Sequence, residues 1–349
     1  MTDIVRIANK QVGKNQPVFI IAEAGVNHNG RIDLAIQLID EAYNSGADAV
    51  KFQTFKTEEL TTKHAKMADY QIENSKELEN QFALIKGLEL SYDAFVTLKE
   101  HCEKRGITFL STPHTLGAME FLDPLVPAFK IGSGDLTNLP FLKILARKDK
   151  PIILSTGMAT LEEVREAVDV ILKEGNSKLV LLHCVTNYPA DMKHLNLRAI
   201  ETLRETFSLP IGFSDHSIGV AAAVAAVALN ACVLEKHFTL DKNLPGPDHK
   251  ASMEPHELKE LVDTIRSVER ALGDGLKKPA PSEVSIKDVA RKSLVARIDI
   301  DKGAILTEEM IDIKRPGHGI QPKYLQDIIG KRAKVEIKED ELLSQDMFE

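Results

Sequence analysis

His216 in the string SDH and His237 in the string EKH are the side chains best suited to hold a metal. Imidazole nitrogens suit transition ions, and a site with two protein ligands leaves positions for water and substrate. The simpler alternative is that each ring bonds a neighbouring backbone group or carboxylate. Lys51 and Lys130 each end an apolar run that carries no other charge. A lysine so placed binds an anion, forms a Schiff base, or partners a structural carboxylate. Thr112, Ser133 and Ser214 offer hydroxyl donors at the ends of other runs, and several donors converging on one cavity favour a phosphate over an amine nucleophile. Glu23 is the acid–base candidate, with an orienting role toward Lys51 or backbone amides as its alternative. Asp248, in GPDHKAS, is either a carboxylate for a substrate hydroxyl or a turn former.

Eight short apolar runs must position these groups: residues 18–22, 49–50, 107–110, 128–129, 152–154, 179–182, 211–213 and 232–234. They lead in turn to Glu23, to Lys51 and Gln53, to Ser111 and Thr112, and to Lys130 and Ser133. The remaining four lead to Ser155 and Thr156, to His183 and Cys184, to Ser214, Asp215 and His216, and to Glu235 and His237. Strands apolar throughout are buried on both faces, as in parallel sheets, and parallel strands need crossover helices. Helical periodicity fills the intervals. Ile32, Ala35, Ile36, Leu38, Ile39 and Ala42 share one helical face before Gly46, and Thr160 with Glu163 forms a capping box before a second helix closed by Gly175. A further periodic stretch covers residues 256–272. The pattern predicts an α/β fold, a (β/α)₈ TIM barrel with its active site at the carboxyl mouth. The interval from Gln53 to Leu90 is too long for an ordinary connection and reads as a functional lid, in which Tyr70, Gln71 and Phe82 suit an active-site wall.

At 349 residues the chain exceeds a barrel of roughly 250 residues, so two domains are expected. Residues 1–273 read as the barrel, 274–290 as a linker rich in Gly, Pro, Lys and Ser, and 291–349 as a small β-rich module. The module carries strand-like runs at 293–298 and 333–337 and a turn at Asp301-Lys302-Gly303. A unit of that size is marginal alone and is expected to dock on the barrel or on a second subunit. Hydrophobic content of 43% and charged content of 28% are those of a globular protein with a large core. No run approaches the ~20 apolar residues of a membrane span and no secretory h-region is present, which points to the cytoplasm. The net charge of −8 and the lack of consecutive basic residues argue against nucleic-acid or anionic-membrane partners. Cys102, Cys184 and Cys232 are widely spaced and odd in number, so they read as reduced core residues.

Longer strings carry a resemblance. IIAEAGVNHNG (20–30), VKFQTF (50–55), FLSTPH (109–114), FKIGSGDLTNLP (129–140), ILSTGM (153–158), LLHCVTNYPA (181–190), GFSDHSIG (212–219) and LEKHFTLDKNLPGPDHKAS (234–252) resemble the sialic acid synthase family. KRPGHGI (314–320) resembles the signature of its C-terminal antifreeze-like (SAF) domain, and the likeness covers essentially the whole chain. It implies condensation of phosphoenolpyruvate with an open-chain N-acetylated hexosamine, giving a nine-carbon 2-keto sugar acid and phosphate. It implies a divalent metal, Mn²⁺ or else Mg²⁺ or Co²⁺, on His216 and His237. Glu23 matches the family carboxylate that manages protons. Lys51, Thr112, Lys130, Ser133, Tyr188 and Ser214 match positions around phosphoenolpyruvate, and Gln53, Asp135, Asp248 and Arg315 match the sugar side. Because Arg315 lies in the small module, the resemblance also implies a domain-swapped homodimer in which that module caps the partner's barrel. Asp135 and Thr186 depart from the Glu and Asn of some bacterial neuraminate synthases, and EAGVNHNG and TLDKNLPGPDHKAS are closer to legionaminic acid synthases and spore-coat polysaccharide relatives. Two rivals are a barrel synthase acting on a phosphorylated aldose, which would need a second phosphate site, and a non-catalytic sugar-binding protein.

Overall fold

A computed structural model describes residues 3–68, 71–72 and 80–349, and divides the chain into two compact units, Met1–Gly273 and Asp274–Glu349. The first unit opens with an antiparallel hairpin, β1 (Ile4–Ile7) and β2 (Lys10–Gly13). Eight parallel strands follow: β3 (Phe19–Gly25), β4 (Ala49–Thr54), β5 (Thr108–Pro113), β6 (Phe129–Ile131), β7 (Ile152–Ser155), β8 (Leu179–Cys184), β9 (Ile211–Asp215) and β10 (Val233–His237). They run side by side in the order β5-β4-β3-β10-β9-β8-β7-β6, and β5 packs against β6 to close the cylinder. A helix follows each strand, from Ile32–Asn44 after β3 to Pro255–Leu272 after β10, as a TIM barrel requires. The capping box of Thr160 and Glu163 starts the helix Leu161–Lys173.

The apolar runs alternate inward and outward with the period of two that a strand imposes. Phe19, Ile21, Ala49, Leu110, Ala128, Ile153, Val180, Leu182 and Val233 form the inner cluster. Their neighbours Ile20, Ala22, Val50, Phe52, Phe109, Phe129, Leu154, Leu181, Phe213 and Leu234 pack outward against the helices. Val5, Ile7 and Val12 of the hairpin join the inner cluster and close the amino-terminal end of the barrel. Gly212 leaves room there: a Cβ on it would stand 2.5 Å from Leu182 Cδ2 and 2.6 Å from the Val233 carbonyl oxygen.

The polar residues that end the apolar runs extend the strands, so that β10 includes Glu235 and His237 and β4 includes Lys51 and Gln53. The interval between Gln53 and Leu90 is not a bare loop, since helices Thr57–Leu60 and Gln81–Leu88 build a small apolar cluster of Val26, Phe55, Leu84 and Leu88. Gln71 and Phe82 are described, whereas Tyr70 lies outside the described residues. The stretch read as a linker contains the helix Val284–Ala290, tied to the second unit by the Gly317 amide donating to the Asp288 carbonyl.

In that second unit, β11 (Ser293–Ala296) pairs antiparallel with β12 (Ile311–Lys314). Its own core includes Leu294, Ile300, Leu306, Ile320, Ile337 and Phe348. Residues 333–337 form no continuous strand, because Ala333 bridges to Phe348 while Ile337 bridges to Ile300. No helix among the described residues is long and apolar enough to cross a membrane.

Candidate active site

Toward the carboxyl ends of the strands the inner face of the barrel turns polar, one residue per strand. Glu23, Lys51, Thr112, Lys130, Ser155, Cys184, Ser214 and Glu235 come in order from β3 to β10, and all are buried. All eight line a cavity of about 350 Å³, large enough for a small-molecule substrate. Two residues further along β4, Gln53 enters the same cavity, and His216 and His237 enter it from the ends of β9 and β10.

The ring is held by side chains from adjacent strands. Lys51 Nζ stands 2.6 Å from Glu23 Oε2 and donates to Thr112 Oγ1 at 3.1 Å. Gln53 Nε2 donates to Glu23 Oε1 at 3.1 Å. Lys130 Nζ donates to Ser155 Oγ at 2.9 Å and lies 3.3 Å from Glu235 Oε1, which also accepts from Ser214 Oγ at 2.9 Å. Both lysines therefore have the carboxylate partners that the structural alternative required. Gly25 makes the β3 side of this arrangement possible. Its φ of +51° lies in the left-handed region, and a Cβ there would stand 3.2 Å from Glu23 Oε1. The β3–β4 register shifts at the same point, between Glu23 and Gly25.

Burial and neighbours separate the two carboxylates. Burial raises Glu23, the Glu235 charge raises it further, and Lys51 opposes them without winning. Burial also pushes Glu235 upward, but Lys130, Lys51 and Ser214 hold it at about 2. One group is thus a proton carrier and the other a fixed anion. Lys51 and Lys130 set against Glu235, beside a Glu23 whose burial favours its neutral form, suit an anionic ligand, although burial also lowers Lys130. Asp248 also lines the cavity, and burial raises it to about 6.

The rings of His216 and His237 stand 5.3 Å apart. Tyr188 packs at 4.2 Å on His216 and edge-on at 5.5 Å to His237. His216 Nδ1 is 2.8 Å from the Val185 carbonyl, so in the neutral ring it donates there and Nε2 carries the lone pair; burial lowers this ring, but Cys184 and the Val185 carbonyl outweigh it and raise it. Burial and the nearby His216 push His237 well below its ordinary value, keeping it neutral. His237 Nδ1 is buried with no hydrogen-bond partner among the described residues. An orphaned imidazole nitrogen beside a second imidazole with a free lone pair fits a bound cation. Among the described residues, no group of three or more His, Cys, Asp or Glu stands ready to hold a metal, so any ion here rests on two protein ligands.

Ser133 lines the cavity from the turn after β6 and accepts from the Gly157 amide at 2.9 Å. Asp135 is not among the residues that line the cavity, but it stands 3.7 Å from Nδ1 of His114, which is. Arg315 is exposed on the second unit and is not among the residues that line this cavity. Glu235, Ser155 and Cys184, which end three of the apolar runs but match none of the roles the resemblance implies, belong to the ring. Glu235 stands two residues before His237, and that spacing on a strand puts both on one face. Cys102 and Cys232 are core residues as expected, whereas Cys184 faces the cavity, 3.9 Å from His216 Nδ1.

The sequence matches the NeuB family over residues 38–277 and the SAF domain over residues 291–349. It is 49% identical over 329 residues to the N,N'-diacetyllegionaminic acid synthase of Campylobacter jejuni, covering 93% of this chain and 98% of that one. It is 38% identical over 341 residues to the N-acetylneuraminate-9-phosphate synthase of Homo sapiens, covering 97% and 94%. The crystal structure of the N-acetylneuraminic acid synthetase of Leptospira borgpetersenii superposes with a TM-score of 0.73 at 37% identity, over 82% of this chain and 95% of that one. The barrel and the small carboxyl-terminal unit each fall within a matched region, and the chain belongs to the NeuB family, with a SAF domain following its barrel.

Proposed function

We propose that this NeuB-family enzyme condenses phosphoenolpyruvate with an open-chain N-acetylated hexosamine, N-acetylmannosamine or its 2,4-diacetamido-2,4,6-trideoxy analogue, to a nine-carbon 2-keto sugar acid and phosphate. The observation that carries this reading is the ring of eight buried polar residues, one from each barrel strand, set beneath two histidines. Relatives named as diacetyllegionaminic acid and neuraminate-phosphate synthases support the choice of product class.

In this reading Lys51, Lys130, Thr112, Ser133 and Ser214 hold the phosphate and carboxylate of phosphoenolpyruvate, with Tyr188 against it. Gln53, Asp135 and Asp248 face the sugar. His216 and His237 would hold a divalent ion, Mn²⁺ or else Mg²⁺ or Co²⁺, which supplies Lewis acidity at the aldehyde oxygen. C3 of the enolpyruvate bonds to the aldehyde carbon, leaving a cation at C2. Glu23, raised and therefore able to carry a proton, gives it to the new alkoxide and takes one back from the water that adds at C2. The C2–O bond to phosphate then breaks, the ketone forms, and phosphate leaves with the hydroxyl proton.

The working unit in this reading is a swapped homodimer in which Arg315 of one copy serves the barrel of the other. Met158 after β7 and Ile218 after β9, 71% and 70% exposed, are apolar side chains at the carboxyl ends of the strands that a partner could cover.

The test mixes purified protein with Mn²⁺, phosphoenolpyruvate and either acceptor, and follows inorganic phosphate. Release dependent on one of the acceptors is expected. No release with either overturns the proposal, and release only with a 6-phosphorylated acceptor would favour the phosphorylated-aldose reading.

A further inference from the structure

Strands β9 and β10 place Leu234 opposite Phe213, Glu235 opposite Ser214 and Lys236 opposite Asp215, and there the ladder between them ends. The residues that follow are His237 and His216. Side chains along both strands alternate: Glu235 and Ser214 bond to each other inside the barrel, and the two imidazoles face inward again one step later. Between them Lys236 and Asp215 point outward, toward the helices. Lys236 Nζ stands 2.7 Å from Asp215 Oδ2, with the two side chains 1% and 0% exposed. Asp215 Oδ1 also accepts from the Ser217 amide at 2.8 Å and from Ser217 Oγ at 2.6 Å, and Lys236 donates to the Ser217 carbonyl.

Elsewhere the outward positions of the barrel strands are filled mainly by residues such as Ile20, Val50, Phe109, Phe129 and Leu154. Among the described residues this is the one ion pair between two outward-facing strand positions. For stability alone it is a poor choice, since apolar side chains of similar volume replace a buried pair without loss in many proteins. What charged, hydrogen-bonded groups add is direction. Here they fix the backbone at the step where main-chain pairing stops and the two rings begin.

We propose that Lys236 and Asp215 are positioning residues that set the spacing of His216 and His237, so that both rings can reach the same cation. This rests on the reading of those histidines as a metal site. Supporting groups behind metal ligands commonly change affinity by about 10- to 100-fold when removed.

The experiment titrates Mn²⁺ alone into metal-free protein and reads free Mn²⁺ by electron paramagnetic resonance. Two variants are compared with the wild type. Lys236→Met with Asp215→Leu removes both charges together, and Asp215→Glu keeps both charges, guarding against loss of fold, while lengthening one arm. The double variant is expected to bind Mn²⁺ at least about tenfold more weakly, and Asp215→Glu several-fold more weakly. In both, kcat is expected to fall while the KM for phosphoenolpyruvate stays within about threefold. Wild-type Mn²⁺ affinity in either folded variant overturns the proposal. Absence of Mn²⁺ binding by the wild type would instead remove the metal site itself, and the positioning role with it.

Discussion

Lys51 Nζ lies 2.6 Å from Glu23 Oε2 and 3.8 Å from Glu235 Oε2, so one buried ammonium serves two carboxylates. Removing it leaves the two buried groups facing each other without their shared counter-charge. Lys51→Met should therefore lose about 3–5 kcal/mol of stability in denaturant unfolding. Adding Glu23→Gln should recover much of that loss, because one of the two charges is gone, while phosphate release stays abolished. Recovery of activity along with stability would show that Lys51 is purely structural.

Asp248 predicts a pH dependence. Its folded value of about 6 lies above the ordinary 3.8, so keeping it ionised in the folded chain costs about 3 kcal/mol. That cost is absent below pH 4, grows as pH rises toward 6 and is constant above. Metal-free Asp248→Asn should match the wild type in Tm near pH 4 and exceed it by a widening margin up to pH 6, with the gain persisting at pH 8. Equal Tm values at pH 8 would place Asp248 in contact with solvent or a cation.

Chelation should abolish phosphate release, and Mn²⁺ should restore it in the wild type but not in His216→Ala or His237→Ala. Both variants should retain cooperative unfolding and the wild-type far-ultraviolet circular dichroism. Turnover that survives chelation or either substitution would remove the metal from the proposed chemistry.

Arg315→Ala should raise the KM for the acceptor about tenfold, the scale of one lost charged hydrogen bond, and leave that for phosphoenolpyruvate nearly unchanged. Sedimentation should show a dimer for both proteins. A strictly monomeric and fully active enzyme would contradict the swapped arrangement.

The barrel was legible because continuous apolar runs alternate with amphipathic stretches, and because turn and cap residues such as Gly46, Thr160 and Gly175 stand where helices begin and end. Which residues face inward was less legible. An unbroken run such as residues 179–182 carries no mark of parity, so the inward role of Cys184 could be read only by counting in twos from a neighbour of known direction. The inward direction of Glu235 was hidden for the same reason, although its spacing from His237 contained the answer. Lys236 and Asp215 sit inside the very strings that pointed to metal chemistry, yet their outward direction gives them a different task. The hairpin of Ile4–Ile7 and Lys10–Gly13 was missed because eight residues around a short turn give too little periodicity to register. Residues 333–337 misled in the opposite sense: an alternating pattern promised a strand, but the segment changes partners halfway along.

The plug formed by Val5, Ile7 and Val12 turns the cylinder into a cul-de-sac. Under the proposed chemistry such a shape imposes a queue. The small anion must be seated at depth before the bulkier sugar arrives above it, and the phosphate released there waits until the larger product has gone.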